Sequence, residues 1–286
     1  MRYRFLRFPG GKAKAVTFSY DDGFKSDKRL AETLSEYGLK CTFNLNNFNT
    51  DDKLSDDDVK KYILGNGHEI AVHGKMHRAE GAMRKIEGIT DILDCRRELE
   101  NKYSLIIRGM AYPDFGIRKF TANVTYEDVK NYLKELDIAY SRTLGGDNNR
   151  FEMPTDWYAW MPTAHHDNPC IMDYIDEFIS IDIGVPNYLI SYLEPRLFYI
   201  WGHSYEFERK NNWKHLDDIC QKISGKEDIW YATNIEIYNY VQAYHSLIYS
   251  ADSLTIYNPT LYTVYFVADG KLYSVNPGEQ IKINED

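Results

Sequence analysis

The run Val16-Thr17-Phe18-Ser19-Tyr20-Asp21-Asp22-Gly23-Phe24 reads as a β-branched and aromatic strand that stops on two adjacent carboxylates and a glycine. Downstream stand His73 and His77, spaced H-x-x-x-H. Two imidazoles and one carboxylate make a divalent-metal site that leaves positions for water. The other aspartate is then spare, and an unpaired charge there would be costly without a task such as taking protons. The pattern points to metal-assisted hydrolysis.

A chain of 286 residues fits one large α/β barrel or two smaller domains, and the order of elements favours the barrel. Strand patterns fall near residues 15–20, 40–45, 69–72, 104–111, 138–142, 197–202 and 229–232. Helical patterns alternate with them: a first helix capped by Ser26 and stopped by Gly38, a second begun by Ser55, then 83–102, 125–136, 213–224 and 234–250. Strict alternation implies a parallel sheet with right-handed crossovers, and about seven such units curl into a barrel. The expected barrel spans 1–250. From 251 to 286 the pattern changes to short alternating strands with turns at Asn258-Pro259 and Asp269-Gly270, a small C-terminal antiparallel β appendage expected to cover one barrel end.

The formal charge of -9 gives no electrostatic footprint for nucleic acid or an anionic membrane surface. Met1 to Gly10 lacks the apolar core and cleavage site of a signal peptide, which reads as a cytosolic chain. The most apolar stretch, Phe178 to Trp201, is interrupted by Asp182, Pro186, Glu194 and Pro195, so no membrane span is expected. Cys41, Cys95, Cys170 and Cys220 form no C-x-x-C pair and read as free thiols in the core.

In such barrels chemistry sits at the carboxyl ends of the strands. Asp21 and Asp22 follow the first strand, Asn44 and Asn46 end the second, and His73 and His77 follow the third. Arg108, Tyr112, Pro113 and Asp114 accompany the fourth, and His203 follows the sixth. Polar residues from five strands converge on one rim.

In order, T-F-S-Y-D-D-G-F, G-H-E-I-A-V-H-G-K-M-H, R-G-M-A-Y-P-D-F-G and F-Y-I-W-G-H-S-Y resemble the motifs of the polysaccharide deacetylases, the NodB-homology carbohydrate esterases of the family 4 type. The resemblance covers about Ala15 to Tyr205. It implies a distorted (β/α)7 barrel that removes acetyl groups from an acetylated oligosaccharide or polysaccharide. N-acetyl of an amino sugar is the leading substrate. An O-acetyl esterase of the xylan type and a catalytically weak sugar-binding relic are the alternatives. By position, Asp21 is the implied base, Asp22, His73 and His77 the ligands of one divalent metal, and His203 the general acid. The metal expected is zinc, with cobalt, nickel, manganese or iron as alternatives. Arg108 is the arginine that would hold the base ionised, although it stands five residues before Pro113, and Trp201 replaces the leucine usual before the late histidine.

Tyr112, Trp157, Trp201, Tyr205 and His165 are the expected substrate contacts, and a backbone amide near Tyr112 a candidate oxyanion donor. Asp156-Trp157 resembles a fourth motif. His165 and His166, adjacent on a loop, are expected to point apart, and His68, at the far end of its strand, to be structural.

Overall fold

The computed structural model describes residues 3–46, 51–145, 148, 150–183 and 193–283. Strand β1 is Arg4–Arg7 and β2 is Lys14–Asp21, buried along its whole length. Val16, Phe18 and Tyr20 join a large apolar cluster with Leu30 and Leu34 of the first helix. By strand alternation Thr17, Ser19 and Asp21 face the other way, into the barrel. There Thr17 donates to Asn234 Oδ1 at 2.8 Å, and Asn44 Nδ2 donates to Ser19 Oγ at 2.7 Å and Asp21 Oδ1 at 2.8 Å.

The remaining barrel strands are β3 (Cys41–Leu45), β4 (Glu69–Val72), β5 (Gly109–Ala111), β6 (Tyr140–Arg142), β7 (Ala164–His165), β8 (Arg196–Gly202) and β9 (Ile229–Tyr231). The sheet is parallel in the order β6-β5-β4-β3-β2-β8-β7, and β9 pairs with the first half of β2. One segment ties its two edges. The Trp160 amide donates to Ser141 O at 3.0 Å, and the Thr163 amide to Tyr199 O at 2.8 Å. The sheet thus curls into a distorted (β/α)7 barrel. All seven expected strands are present, with shifted ends. Ala164–His165 is too short to show a period and was not anticipated.

The helices are α1 (Asp27–Glu36), α2 (Asp56–Asp58, continued as a π-turn over Val59–Ile63), α3 (Lys85–Tyr103), α4 (Tyr126–Glu135), α5 (Ile171–Ser180), α6 (Tyr205–Arg209), α7 (Trp213–Ile223) and α8 (Asn234–His245). Ser55 caps α2, its Oγ accepting from the Asp58 amide at 3.1 Å. Ser26 does not cap α1: its backbone is already helical (φ −64°, ψ −19°), and its hydroxyl pairs with Ser204 Oγ at 2.7 Å instead. The pattern did not reveal α5 and α6. α8 closes the amino end of the barrel, where Ile237, Tyr240 and Val241 join Ala15, Tyr140, Trp160, Leu197 and Tyr199.

Strands β10 (Ile248–Tyr249), β11 (Thr255–Tyr257) and β14 (Gln280–Lys282) form one small antiparallel sheet; β12 (Val264–Ala268) and β13 (Lys271–Val275) form another with β1. The C-terminal strands therefore enlist residues from both the start of the chain and the end of α8. Cys41, Cys95 and Cys220 are buried as expected, but Cys170, just before α5, is exposed. No helix among the described residues is long and apolar enough to cross a membrane; residues 184–192 of the apolar stretch lie outside them.

Candidate active site

Asp21 is the last inward residue of β2, and strict alternation would turn Asp22 away. Asp22 instead has φ +81°, a left-handed backbone rare outside glycine. That twist returns its carboxylate to the same side. Asn46 Nδ2 donates to Asp22 Oδ1 at 2.8 Å, and Lys53 Nζ donates to its carbonyl.

His73 follows β4 with its amide bonded to Leu45 O at 2.9 Å. Its Nδ1 lies 2.9 Å from Ala111 O. A carbonyl only accepts, so Nδ1 carries the proton and Nε2 keeps its lone pair. That lone pair faces Asp22 Oδ1 at 3.7 Å and Asp21 Oδ2 at 4.0 Å. His77 Nε2 lies 3.3 Å from Asp22 Oδ1. The loop between the histidines is held from α3: Asp91 accepts from the Lys75 amide at 3.0 Å and the Met76 amide at 2.9 Å. Gly74, at φ +69°, is required there, since a Cβ would meet Asp91 Oδ2 at 2.7 Å.

These donors fit a divalent ion. Ligand atoms sharing a tetrahedral centre at bond lengths of about 2.0–2.2 Å stand about 3.3–3.5 Å apart. Asp22, His73 and His77 approach that spacing with the imidazole tautomer already set by Ala111, as ligating histidines require.

Arg142, not Arg108, meets Asp21. Its guanidinium, wholly buried at the end of β6, donates to Asp21 Oδ2. Arg108 precedes β5 at the opposite end of the barrel and donates from Nε to Asp137 O at 3.2 Å. An arginine at the start of a strand cannot reach the rim at its end. Burial alone would raise the Asp21 carboxyl, but Arg142, His73, His203 and Asn44 outweigh it and hold it below its usual range. For His73 burial dominates and lowers the imidazole.

His203 Nε2 stands 3.9 Å from both Asp21 Oδ2 and Asp22 Oδ2. On its other side Glu206 Oε2 lies 3.6 Å from Nδ1 and accepts from the His203 amide at 3.1 Å. Burial would lower this imidazolium, yet Glu206, Asp21 and Asp22 together raise it above its ordinary value. The motif-like Asp156 plays no part. It bonds Lys130, Tyr126 and the Tyr158 amide, away from His203.

Among the expected substrate contacts, the Trp201 ring lies under the Arg142 guanidinium at 4.6 Å and against His165 at 4.8 Å. Tyr205 lies 5.1 Å from the His203 ring. These three residues frame the site. Tyr112 and Trp157 do not. Tyr112 is buried with its hydroxyl on Tyr158 O at 2.8 Å, and its amide is consumed by Arg142 O at 2.9 Å, so it is no oxyanion donor. Trp157 packs on Trp160 and Tyr238 in the cluster at the amino end of the barrel. His165 and His166 do not point apart. Their rings lie 4.4 Å from each other, and both turn towards Glu206. His68 is structural as expected, paired with Ser35 Oγ at 2.9 Å and the Cys41 amide at 3.2 Å.

Arg142, Asp91 and Glu206 escaped the sequence reading. Arg142 stands two residues beyond inward-facing Tyr140 on the same strand face, and Glu206 one helical turn after His203. Those were the available signals.

Comparison with known proteins bears on the fold and on the stretch that carries these residues. The model of the polysaccharide deacetylase family matches residues 8–139, which carry the first three motifs. This stretch is similar to that family, and the strands after it complete the same sheet. The fold is similar to a protein from Mycobacterium smegmatis assigned as a polysaccharide deacetylase, at 15% identity and TM-score 0.54, covering 86% of this chain and 96% of that one. It is also similar to the chitin deacetylase of the fungal pathogen Colletotrichum lindemuthianum, at 13% identity and TM-score 0.52, covering 81% and 89%. No protein of curated function matches the sequence.

Proposed function

We propose that this chain is a metal-dependent hydrolase that removes an acetyl group from a carbohydrate, with the N-acetyl group of an amino sugar as substrate. The observation that carries the reading is the division of labour between two neighbouring carboxylates. Asp21 is bonded to Arg142 and Asn44, whereas Asp22 lies nearest the Nε2 atoms of His73 and His77. A divalent ion held by Asp22, His73 and His77 supplies Lewis acidity, polarising the acyl oxygen and acidifying water.

The chain's own residues do the rest. Asp21, kept ionised, takes the proton of the attacking water as the water oxygen bonds to the acyl carbon. The C–N bond then breaks, and His203 gives its proton to the departing nitrogen, leaving acetate and a free amine. Glu206, Asp21 and Asp22 raise the proton affinity of His203, which suits a group that must carry a proton to the leaving nitrogen. Trp201 and Tyr205 offer ring faces to the sugar.

Acetate release from N-acetylated chitin oligosaccharides and from O-acetylated xylan, with bound metal measured on the same sample, tests this. Release from the amide substrate supports the reading. Release from xylan alone establishes the esterase. Metal-loaded protein that releases acetate from neither is the binding relic.

A further inference from the structure

Behind His203, on the side away from Asp22, lies a second convergence of donors. His166 Nε2 is 3.3 Å from Asp167 Oδ2 and 3.4 Å from Glu206 Oε2. The His166 ring is 0% exposed, stacked between Tyr20 at 5.6 Å and Phe207 at 4.2 Å. Neither of its ring nitrogens makes a hydrogen bond, although two carboxylate oxygens stand beside Nε2. A buried imidazole whose nitrogens lack well-aligned hydrogen bonds is costly, even with two carboxylates beside it. The ring is held in place nonetheless. Its amide bonds Trp201 O at 2.9 Å, its carbonyl accepts from His215 Nε2 at 2.8 Å, and only glycine fits opposite, since a Cβ on Gly202 would lie 1.9 Å from Nδ1.

His165 has a different task. Its Nδ1 accepts from the Asp167 amide at 3.1 Å, which leaves the proton on Nε2, aimed at Glu206 Oε2 at 3.1 Å. It orients Glu206 by donation, as residues around a metal centre orient its carboxylates. Lys210, 53% exposed, pairs with Asp167 Oδ2 and is free to swing away.

We propose that His166, Asp167 and Glu206 form a second divalent-cation site, sharing no ligand with Asp22, His73 and His77. One imidazole and two carboxylates suit zinc or manganese, and atoms bound to one such ion at about 2.1 Å stand about 3.4 Å apart. The ion would anchor Glu206, and with it the His203 backbone amide. The proposal stands independently of the hydrolytic reading.

Zinc titration of chelator-stripped full-length protein, followed by calorimetry and metal analysis, tests it. Wild type should take up two equivalents, the double variant His73→Ala/His77→Ala one, and Asp167→Asn/Glu206→Gln one. Lys210→Met should bind the second equivalent more tightly. Asp167 is partly exposed, so its isosteric single variant Asp167→Asn, expected to weaken the second equivalent at least 10-fold, guards against misfolding. One equivalent in wild type that His73→Ala/His77→Ala abolishes overturns the second site. Two equivalents retained in Asp167→Asn/Glu206→Gln overturns it as well. A single equivalent that survives His73→Ala/His77→Ala and is lost from Asp167→Asn/Glu206→Gln keeps the second site and overturns the first.

Discussion

Arg142, at the end of β6, donates into the carboxylate of Asp21, at the end of β2, across the mouth of the barrel. Both side chains are buried, so the pair is neither screened nor replaceable by water. Arg142→Met should lower kcat/KM by about 10²-fold and destabilise the fold by about 3 kcal/mol, because it strands a buried charge. Since Arg142 holds the Asp21 carboxyl down, its loss should move the acid limb of the pH–rate profile upward. Arg108→Met should leave all three unchanged. An effect of Arg108→Met as large as that of Arg142→Met would overturn the assignment.

The two neighbouring aspartates should separate cleanly. Asp21→Asn preserves shape and removes basicity, so it should be folded, metal-loaded and nearly inactive. Asp22→Ala should be folded and metal-poor, with activity partly recovered by excess metal. Metal analysis of both purified variants decides this. Loss of metal from Asp21→Asn with full loading of Asp22→Ala would invert the two roles.

His203→Ala should keep the metal at Asp22, His73 and His77 and lose about 10²- to 10⁴-fold in kcat, roughly 3 to 5.5 kcal/mol of barrier. A general acid works while protonated, so activity falls as pH rises through the raised His203 value. Glu206→Gln removes one of the charges that raise it. The alkaline limb of that variant should therefore lie at lower pH than in wild type, and an unmoved limb would remove Glu206 from this role.

His68 offers a test of stability away from the site. Burial lowers its imidazole from 6.5 to about 4, and it is only 4% exposed. A depressed histidine stabilises the fold fully above its unfolded value, and that contribution is lost as pH falls from 6.5 towards 4. Relative to His68→Gln, wild type should lose about 3 kcal/mol of advantage between pH 7 and pH 4. Urea unfolding of both proteins at the two pH values measures it. Comparing variants also cancels nearby Glu69, which is raised to about 7 and has the opposite pH trend. A difference independent of pH would refute the assignment.

The order of strands and helices was legible because it rests on local periodicity, which survives even where ends shift by a few residues. Asp21, Asp22, His73, His77 and His203 were legible because strand ends define one rim. What failed turned on placement in three dimensions. Arg108 is near the right motif in sequence, but the strand's rise per residue leaves it at the wrong end of the barrel, and Trp157 packs on Trp160 and Tyr238 instead of at the rim. Arg142 and Glu206 stand outside any motif, and reach Asp21 and His203 only once the sheet curls and α6 turns back.

The amino-acid sequence by itself determined the α/β alternation, the rim on which the polar residues gather and the residue types that gather there. Tertiary structure alone decided which arginine pairs with Asp21, which carboxylate faces His203, and that Asp21 and Asp22 share one side despite being adjacent. The reason for the last is a single left-handed backbone angle at Asp22, φ +81°. Such an angle costs energy in isolation and persists only where surrounding contacts, here Asn44, Asn46 and Lys53, over-determine it.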